Sequence, residues 1–282
     1  MKKIIKIALW SLLALLLLVA GALGLFIYKV KHGFPVTYET EQPALAIPEG
    51  KKAILVFSKT TGFRHSESIA AGKQTLASLA AKNDWYLHDT EAGGVFNPGQ
   101  LSRFHAVIFN NSTGRVLNDE QQQALEQYVE NGGTLIGIHG AGDDSHRWPW
   151  YEQNLLGAKF SHHPIEHQLQ EAQLQLDSVT DRALTSKLPS TWTHTEEWYV
   201  FFSHPAEKGF QTVYHIDGEK IDPNGNMLWT TDKNFGMGRH HPVAWYRRVG
   251  KGRTFYTSIG HEARAWEQEP FVHMLENALV WQ

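Results

Sequence analysis

The first pattern along the chain is an uncharged apolar run, Ile7 to Tyr28, "IALWSLLALLLLVAGALGLFIY". About 20 such residues span a bilayer as a helix, whereas the apolar core of a cleaved signal runs about 7–15. The run predicts an uncleaved transmembrane helix, a signal anchor, with "AGA" at Ala20 to Ala22 offering cleavage as the alternative. Lys2, Lys3 and Lys6 precede it, against Lys29 and Lys31 after it. That excess favours the N-terminus inside and the remainder outside. Residues 29–50 then lose all apolar periodicity and carry Pro35, Pro43 and Pro48, so they predict a tether. The expected layout is a membrane anchor over 1–28, a linker over 29–50 and a domain over 51–282.

From Lys51 the pattern changes. "KAILVFS" (52–58), "WYLHDT" (85–90), "HAVIFNN" (105–111) and "TLIGI" (134–138) read as strands, most of them apolar throughout. Between them, Ser66 to Lys82 has helical spacing, with Ile69, Leu76, Leu79 and Ala80 on one face. A second helix opens with Asn118 as cap and Gln121 three residues on, buries Ala124, Leu125, Tyr128 and Val129, and stops at Gly132-Gly133. Strands apolar on both faces that alternate with helices predict an α/β fold, a mostly parallel sheet with helices on both faces. The alternating "HQLQEAQLQLD" (167–177) predicts extra antiparallel strands. "GRTFYTSIG" (252–260) returns to a buried strand, and "PFVHMLENALVW" (270–281) closes as a helix.

Composition narrows the chemistry. The 282 residues carry a net charge of −3, which gives no basic footprint for nucleic acid. There is no cysteine, which removes disulfides, thiolate nucleophiles, thiolate metal sites and a lipidated N-terminal cysteine. Sixteen histidines and ten tryptophans suit proton transfer, metal ligation and sugar stacking, though both types also serve in packing.

In an open parallel sheet, ligands bind beyond the carboxyl ends of the strands. Arg64 and His65 follow the first strand, His139 follows "TLIGI", and His261-Glu262 follow "FYTSI". His139 opens a tight turn, His139-Gly140-Ala141-Gly142, at a corner where other α/β enzymes hold a serine or cysteine nucleophile. The three histidines are expected to face one crevice. "HRWPWY" (146–151), "FSHHP" (160–164) and "THTEEWYVF" (193–201) add Trp148 as a stacking face, His163 as a further contact and Glu197 as an acid or base. A carboxylate entering that aromatic strand predicts a raised pKa for Glu197, with Glu196 the exposed member of the pair. No H-x-x-x-H or HExxH spacing occurs, so a divalent metal is open and no cofactor is certain.

The order of motifs, "GFRH", "GGTLIGIHGAGD", "WPWYEQNLLGAKFSHHP", "EEWYVF", "HPVAWYRRVGKGRTFYTSIGH" and "LENALVW", resembles the ThuA-like (trehalose-utilisation) family from about Lys52 to Gln282. The resemblance implies a class I glutamine amidotransferase-like, flavodoxin-like fold. In the amidotransferases the elbow carries cysteine and a distant histidine–acid pair completes the site. Here His139 stands at the elbow and His261-Glu262 at the distant pair, so glutamine amidotransfer is excluded. The resemblance also implies a carbohydrate ligand, with trehalose-like disaccharides or keto-sugar derivatives as the class.

The expected function is a protein of the inner membrane, single-pass with a periplasmic domain, acting on such a sugar by histidine and glutamate acid–base chemistry. His139, His261 and Glu197 are the catalytic candidates; Arg64, His65, Trp148 and His163 are the substrate-binding candidates. An ordinary glycosidase would need two carboxylates, and one is evident. A hydrolase, lyase or isomerase acting on an activated sugar fits better. A non-catalytic sugar-binding module and a metal-dependent hydrolase are the alternatives.

Overall fold

The computed structural model describes residues 2–32, 36–178, 181–228 and 230–281. Gly33 to Pro35 of the expected linker, and Gln282, lie outside the described residues. The chain divides into two units, Met1–Thr37 and Tyr38–Gln282. The first is the helix α1 (Lys2–His32), whose apolar side chains from Ile4 to Phe26 are exposed. Its stretch Lys3–Phe26 is the one helix among the described residues that is long and apolar enough to cross a membrane.

The second unit is built on a nine-stranded sheet. Its parallel part comprises β1 (Ala53–Phe57), β2 (Tyr86–Thr90), β3 (Ala106–Asn110), β4 (Thr134–Ile138) and β11 (Gly252–Thr257). The antiparallel extension comprises β6 (Gln170–Leu176), β7 (Thr191–Glu196), β9 (Gln211–Ile216) and β10 (His241–Val249). The strand order is β2-β1-β3-β4-β11-β10-β9-β6-β7, and β5 (Phe160–His162) pairs separately with β8 (Val200–Phe201). The helices of this unit are α2 (Ser66–Lys82), α3 (Pro98–Leu101), α4 (Asp119–Glu130), α5 (Pro149–Tyr151) and α6 (Glu269–Val280).

The unbroken apolar strands follow from this layering. Side chains alternate across a strand, so Ile54 and Val56 of β1 enter one core with Leu76 and Leu79 of α2 and Met274 and Leu275 of α6. Ala53, Leu55 and Phe57 enter the other with Ala124, Leu125 and Val129 of α4. Every residue of β1, β3 and β4 is buried because both faces are covered. Truncating a fully buried member such as Leu125 to alanine is expected to cost about 2–5 kcal/mol. The start signals of α2 and α4 hold. Asn118 and Gln121 form a reciprocal capping box at the start of α4, which satisfies two otherwise orphaned amides.

The linker expected over 29–50 is corrected at its far end. Residues from Tyr38 belong to the globular unit. Glu39 forms an ion pair with Lys59 at 2.6 Å and accepts the amide of Gly93, and its carbonyl accepts from Gln121 at 2.7 Å. Pro43 O accepts from Gln100, and Leu45 and Ile47 pack on the core beside α4. Aperiodic, proline-containing sequence gives no helix or strand signal, yet its carbonyls and isolated apolar residues make it a strap over the fold.

Candidate functional site

Four strand ends deliver the site. β1 leads to His65, β3 to Asn111, β4 to His139 and β11 to His261, all at the carboxyl edge of the parallel sheet. Asn111 and His139 both adopt the left-handed region, at φ 55° and 43°, which is uncommon for residues with a side chain. Asn111 ties the loops together. Its Oδ1 accepts the Gly140 amide at 3.1 Å, and its Nδ2 donates to Ser68 Oγ at 3.1 Å and to Gly260 O at 3.3 Å. Gly140 lets the elbow sit close to its neighbours, since a Cβ there would lie 3.1 Å from the His65 ring and 3.0 Å from the Thr113 side chain.

Glu197 arrives from the loop between β7 and β8. Its Oε2 lies 3.3 Å from His139 Nε2 and 3.2 Å from His261 Nδ1, and those two nitrogens are 3.2 Å apart. His163 Nδ1 approaches the other oxygen at 3.1 Å. The His65 ring stands 4.8 Å from that of His139 and 5.0 Å from that of His261, and its buried Nδ1 has no hydrogen-bond partner. One donor atom from each of His65, His139, His261 and Glu197 falls within 4.8 Å of every other.

Proton accounting sharpens this geometry. His139 Nδ1 donates to the carbonyl of Ser258 at 2.7 Å, so in the neutral ring Nε2 carries a lone pair turned into the cluster. Glu197 Oε2 also presents lone pairs, which leaves the proton on His261 Nδ1 to serve two acceptors. A cation at the centre would satisfy all three at once.

The electrostatics keep the donors ready. Burial, and then the neighbouring His139 and His261, push His65 down to about 3, so its imidazole is neutral at ordinary pH. Burial opposes ionisation of Glu197, but hydrogen bonds from His139 and His261 and the charge of His139 and His163 outweigh it and hold the carboxyl well below its usual range. That reverses the raised pKa expected from the sequence, because histidines from the ends of other strands converge on the carboxylate. Burial opposes the charged form of His261 as well, and the hydrogen bond and charge of Glu197 turn the net shift upward.

Glu196 is also corrected. It is 1% exposed, and its carboxylate accepts the amides of Gly260 at 2.7 Å, Glu197 at 2.9 Å and His261 at 3.3 Å. It positions the turn that carries His261. Arg64 does not reach the cluster; it pairs with Glu91 at 2.7 Å. Trp148 does not join the cluster and lines the neighbouring cleft instead. It is buried between Trp150 and Tyr151, and its indole donates to Glu126 at 2.7 Å. His162 turns away to Pro223 O, which leaves His163 to meet Glu197.

Sequence reasoning missed Asn111, Ser258, Glu196 and Tyr199, whose ring centroid is 4.4 Å from that of His139. The strand-end rule could have found Asn111, since "FNN" ends β3. The others act through backbone contacts or packing that no spacing announces. Beyond the elbow, Asp143, Ser145, Arg147, Lys159 and Lys208 line an open polar cleft.

Comparisons with known proteins agree with this architecture. In solved structures the chain is similar to a protein described as ThuA-like from Bacteroides uniformis, with TM-score 0.66 and 20% identity over 88% of this chain and 95% of that one. It is likewise similar to one so described from Parabacteroides merdae, with TM-score 0.61 and 17% identity over 82% and 90%. Among curated proteins, none matches the chain in sequence. The family model described as "Trehalose utilisation" matches residues 53–282, nearly the whole globular unit. The chain belongs to the ThuA, or trehalose-utilisation, family.

Proposed function

We propose that this protein is a divalent-metal-dependent enzyme of carbohydrate chemistry, held by α1 in the inner membrane with its globular unit in the periplasm. One observation carries the reading. The three mutual distances among His139 Nε2, His261 Nδ1 and Glu197 Oε2 are 3.2–3.3 Å. Ligands about 2.0 Å from a tetrahedral zinc ion stand about 3.3 Å from each other. His65 is the further donor, since its ring is neutral and its Nδ1 unpartnered. His163, the most exposed histidine against Glu197, is placed to move a proton at the solvent side.

A bound divalent ion would polarise a sugar oxygen. Glu196 is committed to three backbone amides, so Glu197 remains the one carboxylate at the cluster. That arrangement suits a carbonyl-bearing sugar, whose neighbouring C–H is acidic, better than a plain glycoside that needs paired carboxylates. The family description supports a trehalose-like disaccharide or its keto derivative as substrate. The apolar length of α1 and the lysines before it support the anchor and its orientation.

The test uses the full chain in detergent, stripped with a chelator and reloaded with zinc or manganese. It is incubated with trehalose-type disaccharides and their keto derivatives, and products are read by mass spectrometry. Turnover should vanish on stripping and return on reloading, and His139→Ala should lose both metal and product. Equal turnover without metal would leave acid–base chemistry alone, and sugar binding without product would leave a binding module.

A further inference from the structure

We propose that Asp177, His215 and His240, with His204 beside them, form a second metal site, selective for a borderline cation such as Zn²⁺. The strand register builds it. β6 and β9 pair with Gln175 opposite His215, and β9 and β10 pair with Pro242 opposite His215. Residues two apart on a strand share a face, so Asp177, His215 and His240 project from one side of three adjacent chain segments. His215 Nδ1 lies 2.6 Å from Asp177 Oδ1, and His240 Nε2 lies 3.0 Å from Asp177 Oδ2. The two imidazoles stack with centroids 4.0 Å apart, which presents both nitrogens to one carboxylate.

His240 Nε2 hydrogen-bonds both carboxylate oxygens, at 3.1 and 3.0 Å, and His215 Nδ1 approaches Oδ1 more closely still. His215 Nδ1 is buried and makes no hydrogen bond of acceptable geometry despite its short approach to Asp177. His204 extends the group. Its Nδ1 accepts the Ala206 amide, so its Nε2 carries the proton and donates to the carbonyl of His240 at 3.1 Å, beside His240 Nδ1 at 3.2 Å. Two imidazoles and one carboxylate within 4.8 Å suit zinc, nickel or copper; calcium and magnesium prefer oxygen donors.

The site shares no residue with the His65–His139–His261–Glu197 cluster, so it stands or falls separately from the proposed function. Bound there, the ion would clasp the ends of β6 and β9 to the start of β10. His241, next to His240, donates to the carbonyl of Tyr199, whose ring packs on His139. The clasp would therefore steady the wall of the central cluster.

The experiment is a zinc titration of the chelator-stripped full chain, by dialysis and elemental analysis, in a His139→Ala/Glu197→Gln background that removes two central donors. One equivalent should remain, and zinc should raise the unfolding midpoint by mass action. Adding His240→Ala, a half-exposed position that the fold tolerates, should weaken binding about 10-fold or more and abolish the rise. Asp177→Asn should do the same. Zinc absent from the background variant, or held equally after His240→Ala, overturns the proposal. If circular dichroism shows the background unfolded, wild type and His240→Ala are compared directly. A loss of one equivalent then supports the site, and an unchanged stoichiometry overturns it.

Discussion

Glu196→Gln tests whether the site turn is held by a buried carboxylate. Oε2 of Glu196 accepts Gly260 N at 2.7 Å while Oε1 accepts Glu197 N at 2.9 Å, and His261 N reaches both oxygens at 3.3–3.4 Å. An amide has one oxygen. Whichever side it takes, the NH₂ group faces a backbone N–H on the other, and one buried donor is left without an acceptor. Such a donor costs about 1–3 kcal/mol, and the remaining bonds lose their charge assistance. Relief from burying a carboxylate offsets the lost charge assistance, so a net loss of about 1–3 kcal/mol is expected. Urea unfolding of the full chain, followed by tryptophan fluorescence, should show a lower midpoint with an unchanged slope. The thermal midpoint should fall by roughly 2–12 °C for a domain of this size. A loss below about 0.5 kcal/mol would refute the clamp and return Glu196 to the surface-like role its sequence suggested.

Two further outcomes follow from the same contacts. Burial pushes Asp143 up to about 6 against its Ser145 hydrogen bonds, so its raised folded pKa makes the protonated form the stabilising one. That contribution is complete below the unfolded pKa of about 4 and lost as pH rises through about 6. Asp143→Asn should thus match wild type in acid and exceed it by about 1–2 kcal/mol at neutral pH, as read by urea unfolding across pH. An advantage greatest in acid would reverse the assignment. Glu39→Ala removes the acceptor for Lys59 and Gly93, so a low-specificity protease should cut the 38–47 strap sooner, with a stability loss of about 1 kcal/mol. Unchanged cleavage would show that Leu45 and Ile47 suffice to hold it.

The sheet was legible because burial on both faces leaves an unmistakable apolar run, as in Ala53–Phe57 and Thr134–Ile138. The strand-end rule then placed His65, His139 and His261 together without any alignment, since topology alone brings those ends to one edge. What sequence could not give was direction. Glu196 and Glu197 are neighbours, yet one turns to backbone amides and the other to histidines, a choice made by the chain's exit from β7. Trp148 read as a sugar platform because composition does not report which aromatic faces are covered. The strap over 38–50 was illegible for a similar reason. Its hold comes from carbonyls and single side chains, which carry no period.

His139 itself joins the elbow's strain to its chemistry. Its φ of 43° costs a residue with a Cβ about 1–2 kcal/mol relative to the right-handed region. The imidazole holds that backbone in place: Nδ1 grips Ser258 O, and the ring lies against those of Tyr199, His65 and His261. His139→Ala and His139→Gly both delete these contacts, and they differ in what the backbone then requires. At an ordinary position glycine is about 0.5–1 kcal/mol less stable than alanine. At a left-handed position alanine keeps the steric cost and glycine does not. The two variants should therefore be level, or glycine should lead by up to about 1 kcal/mol, when compared by urea unfolding of the full chain. Both should be equally inactive on sugar, since neither carries a ligand or a titrating ring. If alanine proves the more stable by the ordinary margin, the elbow relaxes as soon as the imidazole leaves, and the left-handed turn is a consequence of the cluster rather than a scaffold that precedes it.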